Sequence, residues 1–128
     1  FANFIFLKKI DFNLKNKVLN NQIIKNLKKH SSKEKYLLSS VKSNHQKFEE
    51  KRYWRGPVWI NCNWIIYQGL KNKNIKFAKQ IKRKTINLVK QKGFNEYFSC
   101  KTGKGFGATN FSWTAALFLD LILENKND

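Results

Sequence analysis

Apolar positions recur with a helical period in four segments of the chain, and the four are not alike. Over residues 14–29, Leu14, Val18, Leu19, Ile23, Ile24 and Leu27 fall on one stripe opposite lysines and asparagines, with Asp11 or Asn13 placed to cap. That pattern predicts an amphipathic helix with one face exposed. A second helix is predicted over residues 56–71, opened by Gly56-Pro57 because proline suits the first helical turn. Trp59, Ile60, Trp64, Ile65, Ile66, Tyr67 and Leu70 surround most of it, which predicts burial. Residues 74–92 return to the amphipathic pattern: Ile75, Phe77, Ala78, Ile81, Leu88 and Val89 lie on one side and lysines cover the other. Asn74 is placed to cap this helix and Gly93 to stop it. A fourth helix, over residues 112–123, is again apolar on nearly every side and predicted to be buried.

No convincing strand-like alternation occurs, so the fold class is all-α. Residues 30–52 are polar and aperiodic, a loop of a length that in compact domains is usually functional or disordered. The order exposed, buried, exposed, buried suits a toroid with an inner ring of helices inside an outer ring, whereas a simple bundle repeats equivalent amphipathic helices. Topology adds a further expectation. The second helix runs away from the Trp54–Trp59 region, and the third, about 27 Å long at the standard rise, brings the chain back. Residues 53–59 and residues 93–113 should therefore share one end of the molecule.

Those two stretches carry the unusual chemistry. Residues 53–64 hold Tyr53, Arg55, two asparagines (Asn61 and Asn63) and three tryptophans (Trp54, Trp59 and Trp64). Aromatic faces pack on the C–H faces of a sugar ring, and arginine and amide groups answer its hydroxyls. Residues 93–113 place Glu96 between Phe94, Tyr97 and Phe98, then run through Gly103, Gly105 and Gly107 to Asn110 and Trp113. A glutamate in that setting is either paired in a structural ion pair or held for function, because burying an unpaired charge is unfavourable. The glycine loop follows no strand and is read as a wall that lets backbone approach a ligand, not as a phosphate cradle. Asn110 either contributes an amide or caps the fourth helix, and Trp113 either lines the pocket or packs. Of the other acidic residues, Asp11, Glu34, Asp120, Glu124 and Asp128 read as surface or cap positions, and Glu49 and Glu50 as a solvated pair.

Composition changes the picture in three places. The formal charge is +18, from 26 basic and 8 acidic residues, which raises nucleic acid as a partner. Its lysines are scattered through every segment, however, and abundant lysine, asparagine, isoleucine and phenylalanine fit an A/T-rich coding sequence; no nucleic-acid partner is expected. Cys62 and Cys100 have dissimilar surroundings and are expected to be free thiols, and His30 and His45 are expected to be solvated. The chain of 128 residues has no methionine and opens on Phe1 without a cap, which we read as a piece of something larger. No apolar run reaches a membrane span and the N-terminus does not read as a signal peptide, so no membrane partner is expected and a cytoplasmic location is favoured.

The stretches RYWRGPVWINCNWIIYQGL (residues 52–70) and GFNEYFSCKTGKGFGATNFSWTAALFLDLI (residues 93–122) resemble the C-terminal signatures of the six-hairpin (α/α)6-toroid glycosidases. The likeness is to the group containing glycoside hydrolase family 63 and the mannosylglycerate and glucosylglycerate hydrolases, with trehalases more distant. It covers roughly residues 36–124, and the first thirty residues fit only loosely. The resemblance implies residues 1–128 as the C-terminal part of a single toroidal domain. It implies an inverting hydrolase of α-glycosidic bonds acting on a small carbohydrate, with no cofactor and no catalytic metal.

By the same resemblance Glu96 is the general base, and Tyr53, Trp54 and Trp59 line the sugar pocket. Asn110 contacts substrate, and Arg55 supports the cluster or binds substrate. The family's general acid is an aspartate from an earlier segment, and no segment here resembles its motif; the remainder of the domain is thus an implied partner. Two departures stand out: Ser99-Cys100 replace the family's Asn-Pro or Asp-Pro, and Cys62 stands between the two asparagines. Two competing readings remain, a basic aromatic nucleic-acid binder and a sugar-binding relic without catalysis.

Overall fold

The computed structural model describes residues 17–124 and, of their side chains, those from residue 20 onward. The predicted start of the first helix at Leu14, its caps Asp11 and Asn13, and Asp128 lie outside the described residues. Among the described residues there are four helices: α1 (Lys17–Ser31), α2 (Ile60–Leu70), α3 (Ile75–Lys92) and α4 (Ser112–Leu123). Two short strands, β1 (Tyr97–Phe98) and β2 (Gly105–Phe106), form an antiparallel pair between α3 and α4, with Tyr97 opposite Phe106 and Phe98 opposite Gly105.

The third predicted helix matches closely. The Asn74 side chain accepts from the Phe77 amide at 3.2 Å, the expected N-cap, and Gly93 ends the helix with φ 81°. Its inner face buries Phe77, Ala78, Ile81, Leu88 and Val89, as the pattern requires, and also Lys82 and Thr85, whereas Ile75, expected on that face, is 58% exposed. The Lys82 ammonium reaches Glu124 Oε2 at 3.2 Å and lies 5.5 Å from the Tyr67 ring centre, so it is buried with partners. Helix α2 packs on α3, and α4 packs against both.

Helix α2 starts later than proline suggested. Val58 lies in an extended segment: its amide donates to Phe98 O at 2.7 Å and its carbonyl accepts from Phe98 N at 2.9 Å. On its other side Val58 bridges to Ser39, and Ser40 N donates to Pro57 O at 2.9 Å. Pro57 therefore sits in a short ladder and the helix begins at Ile60. Those strand-like contacts are only one or two residues wide, too short for any alternation to show in sequence. They join the loop before α2 to the hairpin after α3.

The core gathers Leu37, Leu38, Val58, Ile60, Ile66, Leu70, Phe77, Ile81, Leu88, Phe98 and Leu121. Asn63 is fully buried within it: its Nδ2 donates to Leu38 O at 2.9 Å and to Trp59 O at 3.0 Å, while Leu38 N donates to its Oδ1 at 3.1 Å. Its amide thus fastens residues 37–38 onto α2 and is not available to a sugar. The segment 30–52 is irregular, as expected, but it is not merely solvated. Glu34 is buried, and its Oε1 accepts from Ser39 Oγ at 3.2 Å and from Ser43 N at 2.9 Å. His30 lies 3.0 Å from Ser39 Oγ and 3.7 Å from Glu34, and burial lowers its pKa, which corrects the expectation of a solvated histidine.

The expected burial of the fourth helix is not met among the described residues. In α4 only Thr114 and Leu121 are buried, while Trp113, Leu119 and Leu123 are each about half exposed. Its packing against α2 and α3 covers one side, and no described element covers the other.

Candidate active site

The site is assembled by the backbone ties just described. Glu96 follows α3 and precedes β1; its amide donates to Ala108 O at 2.9 Å, which closes the hairpin around the glycine loop. Phe111 N donates to Phe94 O at 2.8 Å, and Thr114 Oγ1 donates to Asn95 O at 2.8 Å, so the start of α4 is fastened beside Glu96. Gly107, with φ 72°, lies against the carboxylate: a Cβ there would stand 2.4 Å from Glu96 Oε2. Glycine is what lets the backbone approach that closely.

Both carboxylate oxygens of Glu96 are engaged, and neither partner is a cation. The Tyr53 hydroxyl donates to Oε1 at 3.0 Å, and the Ala108 amide donates to Oε2 at 3.1 Å. Among the described residues, the structural ion pair left open by the sequence is therefore not what holds Glu96. Donation to Glu96 also raises the Tyr53 phenol above its ordinary value of 10.0.

Beside the carboxylate stands a stack of three rings. Trp54 lies on Trp59 at 4.2 Å and 15°, and Trp59 lies on Tyr97 at 5.1 Å and 27°. Tyr53 crosses all three edge-on, with centroid distances of 5.5, 4.8 and 5.6 Å. The expected juxtaposition of Glu96 with the tryptophan region is thus present, with Tyr53 as the link. The ring faces are not equally open. Trp59 is 3% exposed and sandwiched between its neighbours, so it supports the platform instead of presenting a face. Its Nε1 donates to Tyr53 O at 2.9 Å.

Other expected site residues are placed as follows. Arg55 donates to Glu49 Oε1 at 2.8 Å, and Arg52 lies 3.2 Å from the same oxygen; these bonds hold the Glu49 carboxyl below its usual range. Arg55 is therefore beside the Tyr53 turn but is bonded to Glu49, and the expected solvated pair is split. Glu50 accepts instead from Ser99 Oγ, one of the two residues that stand where the resembled family has a proline motif. Asn110 is exposed with φ 54°, in the left-handed region, and the N-cap of α4 is Phe111, so Asn110 is not the cap. Trp113 is half exposed in the first turn of α4, on the chain segment tied to Glu96 through Asn95.

Both cysteines are free, and burial raises their thiols, Cys62 to about 11 and Cys100 to about 12. Such thiols stay protonated and unreactive at neutral pH. The participation of Tyr97 in the stack and of the Ala108 amide at the carboxylate was not foreseen. The run of glycines is the signal that such a backbone donor was close by.

A helical chain that brings one glutamate to an aromatic platform beside a glycine-rich wall has the make-up of a carbohydrate-processing domain. The chain belongs to the mannosylglycerate hydrolase MGH1-like glycoside hydrolase domain family, whose model matches residues 10–114. It is 44% identical over 88 residues to a mannosylglycerate hydrolase of Thermus thermophilus, covering 68% of this chain and 21% of that protein. It is 45% identical over 78 residues to the mannosylglycerate hydrolase of Rubrobacter radiotolerans, covering 60% of this chain and 18% of that protein. Among solved structures, the family 63 mannosylglycerate hydrolase of Thermus thermophilus in complex with glucose superposes with a TM-score of 0.73 at 38% identity, over 79% of this chain and 26% of that one. The four helices thus have the fold of part of a helical toroid, and the chain spans about a fifth of the curated relatives it matches.

Proposed function

We propose that this chain is the C-terminal part of the catalytic domain of a glycoside hydrolase that cleaves an α-glycosidic bond with inversion. Its substrate is a small glycoside or oligosaccharide, and the names of the relatives favour a hexosyl glycerate such as mannosylglycerate. Glu96 is the general base. It takes a proton from water as the water oxygen attacks the anomeric carbon. An aspartate from the remainder of the domain protonates the departing oxygen as the glycosidic bond breaks. In inverting enzymes the two carboxyls stand about 6.5–9.5 Å apart to leave room for that water. Tyr53 and Trp54 offer aromatic surface to the sugar ring, with Trp59 behind them, and Asn110, Trp113 and Arg55 flank the substrate.

The observation that carries this reading is the carboxylate of Glu96, held by a hydroxyl and an amide at the edge of the ring stack with no cation neutralising it among the described residues. A base needs that: fixed orientation and a free charge to accept a proton. The same carboxylate disfavours the nucleic-acid reading, because a phosphate approaching the rings would meet a like charge. In the complete enzyme, Glu96→Gln should lower kcat by about a thousandfold or more while substrate affinity changes little. Activity within tenfold of wild type would refute the assignment, and binding with no turnover in the unaltered complete protein would favour the sugar-binding relic.

A further inference from the structure

The Tyr53 ring has a job that stacking on a sugar does not explain. Its hydroxyl points at Glu96 Oε1, 3.0 Å away and 43 positions along the chain, while its ring is wedged edge-on against Trp54, Trp59 and Tyr97. The backbone of Tyr53 has φ 22°, a conformation that residues with side chains rarely adopt. Strain of that kind persists only where the surroundings impose it. Here they do: Trp59 Nε1 donates to the Tyr53 carbonyl at 2.9 Å, and Tyr53 N donates to Lys51 O at 3.3 Å. A ring that served only as a sugar platform needs neither the strained turn nor the hydroxyl, and phenylalanine would serve as well.

We infer that Tyr53 is a positioning residue for Glu96: its hydroxyl and the Ala108 amide grip the two carboxylate oxygens from opposite arms of the site and fix the direction in which the base meets water. The inference rests on the proposed role of Glu96. The Ala108 amide belongs to the same hairpin as Glu96, so by itself it sets the carboxylate only relative to that hairpin. Tyr53 belongs to the turn before α2, so its bond sets the base relative to the aromatic platform. Donation to Glu96 raises the phenol above its ordinary value, which keeps it protonated, and so a donor, throughout the neutral range. Each carboxylate oxygen has two lone pairs, so with one bond to each the carboxylate can still accept from water.

The test compares three proteins with the complete enzyme: Tyr53→Phe, 3-fluorotyrosine at position 53, and Glu96→Gln. Tyr53→Phe is expected to lower kcat by about 10- to 100-fold with KM changed by less than about threefold, because a small misplacement of a reacting group is felt in the rate. The acid limb of its pH–rate profile should move to higher pH. Fluorotyrosine keeps the ring and donates more strongly, so it should move that limb to lower pH. Tyr53→Phe that raises KM at unchanged kcat would overturn the inference, as would an acid limb that stays fixed in the fluorotyrosine protein. If Tyr53→Phe fails to fold, the fluorotyrosine profile decides alone. Glu96→Gln separates the two claims. Wild-type activity there removes the base assignment and the inference with it; an inactive Glu96→Gln beside an unaffected Tyr53→Phe removes only the positioning role.

Discussion

Gly107 leaves no room for a side chain, since a methyl group there would sit 2.4 Å from Glu96 Oε2 and 2.8 Å from its Cβ, on a backbone with φ 72°. Gly107→Ala should therefore displace the carboxylate and strain the loop. We expect a loss of about 1–3 kcal/mol in stability by denaturant titration and a fall in kcat of about a hundredfold in the complete enzyme. His30 supports a pH prediction. Burial lowers its pKa in the folded state, so the unfolded chain binds the proton more readily and stability falls as pH drops below about 6.5. Thermal melts between pH 7 and 5 should show that slope, and His30→Gln should flatten it. At this scale Tyr53, Trp54 and Glu96 were legible because aromatics and a lone carboxylate are conspicuous in an otherwise lysine- and asparagine-rich chain. The burial of Glu34 and His30 was not, because their neighbours in sequence are polar and give no sign that the segment folds back on itself through Ser39 and Ser43. Arg55 was legible as unusual, but nothing in its immediate sequence favoured Glu49 over Glu96 as its partner.

At the scale of elements, local signals placed α3 well, since capping and glycine stops act within a few residues. Asn74→Ala should remove the bond to Phe77 N and cost about 1 kcal/mol, read from the denaturation midpoint at constant slope. The start of α2 was misread because proline fits an extended ladder as readily as a first turn, and only the pairing of Val58 with Phe98 decides between them. Glu124, which reads as an ordinary surface residue, in fact joins three helices. It accepts from Tyr67 at 2.6 Å and Lys71 at 3.0 Å at the end of α2, and from Lys82 at 3.2 Å in α3. Burial alone would raise its pKa, but these three donors prevail and hold it at about 2. The stability it contributes is present above about pH 4.5, its unfolded value, and is lost as pH falls toward 2. Glu124→Gln should remove that part of the acid dependence.

For the whole molecule, the alternation of exposed and apolar helices led to the toroid, and the structural likeness to a family 63 enzyme supports it at a TM-score of 0.73. What the alternation misjudged was α4, whose apolar outer side remains half exposed among the described residues. The apolar pattern records what a helix requires, and it cannot name the element that supplies the cover. In our proposal that cover, like the general acid, comes from the rest of the catalytic domain. The chain by itself should then hydrolyse no glycoside above the uncatalysed rate, and any binding of nucleic acid should be weak and abolished by moderate salt. The central claim is that Glu96 activates water for inversion in the complete enzyme, and azide rescue tests it most directly. Azide needs no base, so in Glu96→Ala it should attack the anomeric carbon itself, restoring cleavage and giving a glycosyl azide of inverted configuration by proton NMR. Wild-type hydrolysis by Glu96→Ala without azide, or an azide product of retained configuration, would contradict the account.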